Sequence, residues 1–225
     1  MEASNTLSSS FLDYFRQRHW LVVWLAVFAA GLIILAVTGQ IRTQGSGRPT
    51  IYEWSVVSSA VMVWIAAKLF LKLDLSEEYL MGIIFGIQWE FLTEPYWTYL
   101  PDKFNILVWK DLPLMGLLGW GPTLTIAMYS SNWLARRLFK LTPEKLLFDP
   151  RILLCDAIAI QIVGSLAEWT YGILFHCWDY SISFGIGKSP LGLGWEVHIG
   201  YVIVFFWYGT TMRVWKSRLE GQLCR

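Results

Sequence analysis

The sequence predicts an all-α protein, built as a polytopic bundle of about six membrane-spanning helices. Of its 225 residues, 55% are hydrophobic and only 16% are charged, whereas ordinary soluble domains carry about 25% charged residues. Apolar stretches of about 20 residues, the length that crosses a bilayer core, recur along the chain. They cover approximately residues 20–39, 54–73, 79–98, 112–134, 152–175 and 196–215.

These stretches form one predicted transmembrane domain, residues 20–215, with a short segment at each end. Residues 1–19 place Leu7, Phe11 and Phe15 at helical spacing, which is typical of a helix at the membrane interface. A disordered segment is the alternative. Residues 216–225 form a basic tail. No small-residue cleavage site follows the first span, so we expect a retained helix and not a removed signal peptide.

The fourth apolar stretch is the weakest. Pro113, Gly116, Gly119 and Pro122 are expected to kink or interrupt a helix there. Such breaks at membrane depth persist only where protein or a cavity covers the freed backbone groups.

Basic residues orient the predicted bundle, because cytoplasmic loops carry an excess of Lys and Arg. With the N-terminus inside, thirteen basic residues fall on the inner side and five on the outer side. We therefore expect both termini in the cytoplasm. The inner set is Arg16, Arg18, Lys68, Lys72, Arg136, Arg137, Lys140, Lys145, Arg151, Arg213, Lys216, Arg218 and Arg225, and the outer set is Arg42, Arg48, Lys103, Lys110 and Lys188.

The charge balance limits the possible partners. The net charge is +1 and no run of basic residues occurs, which argues against nucleic acid. Cys155, Cys177 and Cys224 are widely spaced and odd in number, so free thiols are expected. The expected partners are the lipid bilayer and a lipophilic, prenyl-type small molecule.

Three acids lie within apolar stretches, and each has a tryptophan as its chain neighbour. A carboxyl group in a membrane span is costly and is usually functional. The predicted topology places these acids in the outer half of the bundle with three others, so we expect an aromatic-walled polar site there. The pairs are Trp89-Glu90, Glu168-Trp169 and Trp195-Glu196, and the neighbouring acids are Glu94, Asp111 and Asp179.

Glu90 is the leading candidate acid. Glu94 follows one helical turn later, although Pro95 favours a bend at that point. Two carboxylates this close would not both ionise cheaply in an apolar site, so we expect one of them to be protonated and able to donate to a substrate. The alternative is a structural role, with Glu90 as a hydrogen-bonded link between helices and Glu94 as an interfacial acid.

Glu168 is the second candidate. It shares a helix face with Tyr171, Gly172 and Phe175. A structural partner would be Lys, Arg or Tyr from another span, but apart from Lys68 no Lys or Arg lies near the middle of a predicted span. This absence favours a functional role. Asp156, near the inner end of the fifth span, stands apart from the other acids.

Most of the 14 tryptophans fit the belts that Trp and Tyr form at membrane interfaces. Some of them could instead line a cavity for a cationic intermediate, because an aromatic face near a desolvated cation contributes about 2 kcal/mol. The expected substrate-binding residues are Trp89, Trp97, Trp169, Tyr171 and Trp195.

We expect no metal ion and no organic cofactor. A metal site formed by His176, Asp179, Glu196 and His198 is conceivable, but Glu196 and His198 point in different directions on a helix. The chain has only three histidines, which excludes desaturase-type histidine boxes, and it has no HExxH or GxSxG motif.

The two predicted outer loops, about residues 99–111 and 176–195, look alike. Each half runs from an acid-bearing helix, through an aromatic loop, to a Pro, Leu, Gly and Trp entry into the next helix. This pattern indicates an internal repeat of helix pairs, and apolar low complexity is the alternative. The alignment matches Trp97-Thr98-Tyr99 with Trp169-Thr170-Tyr171, Pro113 with Pro190, and Trp120 with Trp195.

The second half contains the run Glu168 … Cys177-Trp178-Asp179-Tyr180 … Gly185-Ile186-Gly187-Lys188-Ser189-Pro190 … Glu196, ending in Phe205-Phe206. It resembles the polytopic lycopene cyclase domain, whose superfamily includes the membrane-bound meroterpenoid cyclases. The resemblance covers about residues 86–208. The family carries an acidic pair close after the proline, whereas here Glu196 alone follows Pro190.

The resemblance implies an enzyme that protonates an isoprenoid olefin or epoxide without a metal and then cyclises it. By position, Glu90 and Glu168 would be the acids, and Glu196 or Asp179 would assist. We predict an isoprenoid cyclase or isomerase in which Glu90 protonates and Glu168 deprotonates or stabilises the cation. The alternatives are a proton-coupled transporter that uses intramembrane glutamates and a non-catalytic lipid-binding subunit.

Overall fold

The computed structural model of the protein describes residues 19–93, 97–109, 111–142, 149–180 and 187–223. These residues are mostly helical, as predicted, and they fall into two compact units that divide after Ile41. The first unit contains helix α1, His19–Val37, at the place of the first predicted span. Residues 1–18, where the interfacial helix is predicted, lie outside the described residues.

The second unit combines helices with short strands. In chain order, the elements after α1 are β1 (Ile41–Thr43), α2 (Ile51–Ala66) with a π-helical extension (Ala67–Leu71), α3 (Ser76–Thr93), β2 (Trp97–Tyr99), β3 (Ile106–Val108), β4 (Leu112–Pro113), a 3₁₀ turn (Gly116–Gly119), α4 (Trp120–Phe139), α5 (Pro150–Ala167) with a π-helical extension (Glu168–Leu174), β5 (Trp178–Tyr180) and α6 (Trp195–Leu223).

The helices lie where the apolar stretches predict them, but few of them meet a strict criterion for a membrane span. Within the described residues, Ile51–Leu71 and Pro150–Leu174 are long and apolar enough to cross a membrane, and Leu21–Val37 is a shorter apolar helix. A mostly helical fold is therefore established, and the six-span bundle remains a proposal.

Local sequence signals explain the helix starts. Thr50 and Glu53 form a capping box at the start of α2, and the buried Glu53 carboxylate also accepts hydrogen bonds from the amides of Asn105 and Ile106 (3.1 and 2.9 Å). Asp149 caps α5 ahead of Pro150. Glu53 is therefore a structural acid.

The fourth predicted stretch, residues 112–134, differs from expectation at its beginning. Leu112–Pro113 pairs with β3 in an antiparallel hairpin, with Leu107 opposite Pro113, and helix α4 starts only at Trp120. Pro113 lacks the amide hydrogen that a helix interior needs. Pro122 lies in the first turn of α4, where that hydrogen is not required.

Two parts of the second unit have matching strand pairs, in an alignment that differs from the one predicted for an internal repeat. β2 pairs antiparallel with β5, with Trp97 opposite Tyr180 and Tyr99 opposite Trp178. The Leu107–Pro113 pair has its counterpart in the bridge between Lys188 and Gly194. α3 with α4 therefore corresponds to α5 with α6.

The true counterpart of Trp97-Thr98-Tyr99 is Trp178-Asp179-Tyr180, and that of Pro113 is Gly194. The predicted match to Trp169-Thr170-Tyr171 is wrong because those residues belong to the π-helical extension of α5. Sequence identity over three letters was a weaker guide than strand pairing.

Two ion pairs that hold buried acids lie at the end of the second unit opposite β2 and β5. Arg213 donates to both oxygens of Asp156 (2.7 and 2.5 Å), and both side chains are at most 2% exposed. Lys216 pairs with the buried Glu78. Arg213 and Lys216, two of the basic residues that the sequence predicts on the inner side, are thus partners of acids on α5 and α3. We call these four residues the paired end.

Candidate functional site

Glu90 lies on the last turn of α3 and accepts three hydrogen bonds from aromatic side chains. Its Oε2 accepts from Trp97 Nε1 at 3.0 Å, and its Oε1 accepts from the Tyr99 hydroxyl at 2.9 Å and Trp120 Nε1 at 2.8 Å. The side chain is almost completely buried. Neutral donors from β2 and α4 therefore surround this carboxyl group.

Glu168 has the same kind of surroundings. Its Oε2 accepts from Trp178 Nε1 at 3.1 Å and from the Tyr180 hydroxyl, and its Oε1 accepts from the Tyr201 hydroxyl at 2.9 Å. The donors follow Glu90 by 7, 9 and 30 residues and Glu168 by 10, 12 and 33 residues. The constant offset shows that the two acid sites are copies of one arrangement.

Strand geometry delivers two donors to each acid. Side chains alternate along a strand, so residues 97 and 99 share a face, as do residues 178 and 180. Burial, together with the nearby carboxylates, raises the pKa of Tyr99 and of Tyr180 well above the usual range. Both phenols therefore remain protonated hydrogen-bond donors at neutral pH.

Glycines provide the space for the remaining donors. A Cβ atom on Gly86 would lie 2.0 Å from Trp120 Cγ, and one on Gly164 would lie 2.8 Å from Tyr201 Cδ1. Each glycine precedes its acid by one helical turn, at positions 86 and 90 and at positions 164 and 168. The sequence Gly-x-x-x-Glu is thus a shared signature of the two sites.

One cavity of about 470 Å³ opens onto both acids, a volume that suits a small lipophilic ligand. Its wall is mostly apolar and aromatic, and none of the described residues that line it is Lys, Arg or His. Glu196 also lines it, and Glu196 Oε2 is buried without a hydrogen-bond donor among the described residues. Within the described part of the chain, the cavity therefore brings together three carboxyl groups without a basic partner. We call this region, with β2 and β5, the strand end.

The structure places six of the predicted site residues in the cavity wall: Glu90, Glu168, Glu196, Trp89, Trp97 and Tyr171. Tyr171 packs against Trp178 with its ring stacked at 6.5 Å. Glu94 lies outside the described residues.

Three predicted site residues do not line the cavity. Asp179 is exposed and pairs with His176 Nε2 at 2.8 Å, because it occupies the face of β5 opposite Trp178 and Tyr180. Trp169 and Trp195 are 57% and 43% exposed, since the helix turn that directs each neighbouring glutamate inward directs the tryptophan outward.

The conceivable metal site does not form. His198 is buried in a different network, with Nδ1 against Gln161 Oε1 (2.6 Å) and Nε2 against Ser189 Oγ (2.8 Å), and His176 is exposed. Among the described residues, no group of three or more His, Cys, Asp or Glu side chains could hold a metal ion.

Several of the donors have no site role in the sequence prediction, namely Tyr99, Trp120, Trp178, Tyr180 and Tyr201. The signal that could have found Tyr99, Trp178 and Tyr180 is a triplet of an aromatic residue, any residue and an aromatic residue that begins less than three helical turns after Glu90 and Glu168. Trp120 and Tyr201, 30 and 33 residues after the acids, have no such local signal. Such a triplet aims two donors in one direction if it is a strand.

Comparisons with known proteins add no relative: no family model matches the chain, and neither a curated protein nor a solved structure is significantly similar to it.

Proposed function

We propose that the protein is an integral membrane protein whose helices cross the bilayer with both termini in the cytoplasm. The apolar faces of its helices support this. On α5, Leu154, Ile158, Ile162 and Leu166 recur every fourth residue and are 52%, 40%, 58% and 63% exposed. A lipid surround accounts for this stripe on a chain that buries several of its acids.

We further propose that the cavity is the active site of an enzyme that performs acid–base chemistry on a lipophilic substrate, with isoprenoid cyclisation or isomerisation as the reaction. The observation that carries this proposal is the cavity itself: an apolar, aromatic chamber whose described wall contains three carboxyl groups and no basic side chain. Such a chamber binds a hydrocarbon chain and stabilises positive charge that develops on it.

The contacts of the three acids support roles that differ from those predicted from the sequence, in which Glu90 protonates the substrate. Glu90 and Glu168 each accept three hydrogen bonds, so donors already occupy most of their oxygen positions. Glu196 Oε2 is buried and has no donor among the described residues, so Glu196 offers the free oxygen that a proton transfer with the substrate needs. In this assignment Glu90 and Glu168 provide fixed negative charge that stabilises the cation.

The proposed reaction is balanced without a co-reactant. The Glu196 O–H bond breaks as a C–H bond forms at one carbon of a substrate double bond, and its neighbour becomes a carbocation. A second double bond can attack that carbon to close a ring. Loss of a proton from an adjacent carbon to the Glu196 carboxylate then restores the acid and a double bond, so the product is an isomer of the substrate.

The packing beneath the cavity favours a closed pocket over a transport path. Between the strand end and the paired end, α4 and α6 carry side chains that are at most 2% exposed, among them Leu124, Met128, Phe205 and Tyr208. A proton-coupled transporter would need polar groups along this stretch. The described residues of this stretch are mostly apolar, and its buried polar groups are the hydroxyls of Thr125 and Tyr208, with no carboxyl group among them.

The test is a turnover assay in lipid nanodiscs with a panel of neutral prenyl substrates. We expect Glu196→Gln to lower product formation by about 10²–10⁴-fold, the usual contribution of a positioned acid. Glu90→Gln and Glu168→Gln should also lower it, whereas the exposed acid variant Asp111→Asn should not. Equal turnover in all four variants, or proton-driven uptake into liposomes without a product, would overturn the proposal.

A further inference from the structure

We infer that the cavity is a binding site for lipophilic organic cations, and that a permanently charged ammonium ligand binds there more tightly than a neutral ligand of the same shape. This inference deepens the proposed function and rests on it for the role of the cation. Unlike the proposed function, it concerns a ligand that binds in the cavity without reacting.

The first reason for this inference is the kind of partner that each buried acid has. Buried charges in proteins are normally paired or satisfied by backbone amides. Asp156 and Glu78 have basic partners, and Glu53 accepts from backbone amides. Among the described buried acids, Glu90 and Glu168 have only neutral aromatic donors, so no described basic side chain pairs with either carboxyl group.

The second reason is that the carboxyl groups of Glu90 and Glu168 still have room to accept a further contact. A carboxylate offers about four lone-pair positions. In both acids one oxygen accepts two bonds and the other accepts one, Oε2 in Glu90 and Oε1 in Glu168. Each therefore keeps an open position while its orientation is held by three donors.

The wall of the cavity selects the kind of cation. Rings of Trp89, Tyr171 and Trp178 line it, and aromatic faces attract a cation that has lost its hydration shell. Ca²⁺ would need six to eight oxygen ligands, and Mg²⁺ an octahedral set. An ammonium group that carries alkyl or aryl substituents matches the apolar wall and needs no such ligand set.

The experiment is a calorimetric titration of the wild-type protein in nanodiscs with three ligands of similar size: phenyltrimethylammonium, its neutral carbon isostere tert-butylbenzene, and benzenesulfonate. Protein-free nanodiscs correct for partition into lipid. We expect the cation to bind at least tenfold more tightly than the isostere, and the anion to bind most weakly. Equal affinity for the cation and the isostere overturns the inference without requiring any variant.

Variants then assign the preference to the acids. Glu90→Gln and Glu168→Gln should each weaken binding of phenyltrimethylammonium at least tenfold and change binding of tert-butylbenzene less than twofold, which also shows that the cavity is intact. Asp111→Asn is the matched control and should change neither. If both glutamine variants keep the cation preference, the acids are not its source and the inference fails.

The outcomes separate the inference from the proposed function. If the cavity prefers the cation but no prenyl substrate is turned over, the cation-binding site is supported and the proposed enzymatic function is rejected. Glu-dependent turnover without a cation preference supports the enzyme and overturns the inference.

Discussion

At the paired end, Asp156 and Glu78 each meet a basic side chain of α6, whereas at the strand end Glu90 and Glu168 each meet three neutral aromatic donors. Both pairs of acids are at most 8% exposed. The two ends therefore differ in the partners of the acids and not in burial. The acids of the paired end face positively charged side chains, and those of the strand end face neutral Trp and Tyr donors.

This difference is the reason for assigning a structural role to the ion pairs and the proposed function to the acids in the cavity. An ion pair in a dry interior neutralises itself and links helices, so nothing remains for a ligand to satisfy. Dipolar donors hold a carboxylate in place without neutralising it, which leaves a net field in the cavity. The two ends should consequently respond in different ways to substitution, and the expected losses of stability are given from the largest to the smallest.

The largest effect is expected for Arg213→Met, which leaves Asp156 as an unpaired buried charge. We expect the free energy of unfolding to fall by about 3–5 kcal/mol, measured by denaturant unfolding in detergent. Arg42→Met removes an exposed pair with Asp111 and should cost less than about 1 kcal/mol. If the two variants are equally stable, the paired end is not structural and the comparison breaks down.

The double variant Asp156→Leu with Arg213→Met sharpens the same point. It removes both charges, so it should recover most of the stability that Arg213→Met loses. A double variant as unstable as the single one would show that the geometry of the pair, and not its charge balance, stabilises the fold.

Gly86→Ala and Gly164→Ala test the space behind the aromatic donors. A new methyl group would overlap Trp120 more severely than Tyr201, so we expect losses of about 1–3 kcal/mol with Gly86→Ala the worse. Thermal unfolding measures this. Gly31→Ala, with no heavy atom within 4 Å of the added Cβ, should be neutral or stabilising by at most about 1 kcal/mol. An equally harmful Gly31→Ala would contradict the explanation.

Tyr99→Phe and Tyr201→Phe each remove one donor from an acid at the strand end. We expect each to lower the free energy of unfolding by about 1–2 kcal/mol, with similar values because the two sites are copies. Tyr171→Phe is the control, since its hydroxyl lies 3.4 Å from Ser55 Oγ and contacts no acid in the described part of the chain. Unequal losses for the two phenols would show that the copies have diverged in energy as well as in sequence.

The last prediction concerns chemical access and not stability: Cys177 is buried next to β5. Burial disfavours the thiolate and raises the pKa of Cys177 to about 11. At pH 8 only about one thiol in a thousand is then ionised, so labelling in a Cys155→Ala, Cys224→Ala background should be at least about 100-fold slower than in the unfolded chain. The labelling rate should rise as the pH approaches 11. Rapid labelling at pH 8 would mean that water reaches the strand end.

Much of the candidate site can be read from the sequence because burying a carboxyl group in an apolar stretch is costly wherever it occurs. Glu90, Glu168 and Glu196 are visible on that ground alone, and all three line one cavity. The helices follow for a similar reason, since long apolar runs with helical caps leave the backbone few alternatives. Adjacency in the chain did not predict which tryptophans line the cavity. Trp169 and Trp195 are next to Glu168 and Glu196 in sequence, but their side chains are exposed.

The sequence by itself determined that this protein is mostly helical, where its helices lie, and which acids need an explanation. Tertiary structure alone decided which acids are neutralised. Asp156 meets Arg213 across 57 residues, while Glu168 meets Tyr201 across 33. The physical reason is that propensity and hydrophobic patterning act over a few turns of chain. The choice between a charge and a dipole as the partner of a buried acid depends instead on which side chains the packed helices and paired strands bring within about 3 Å.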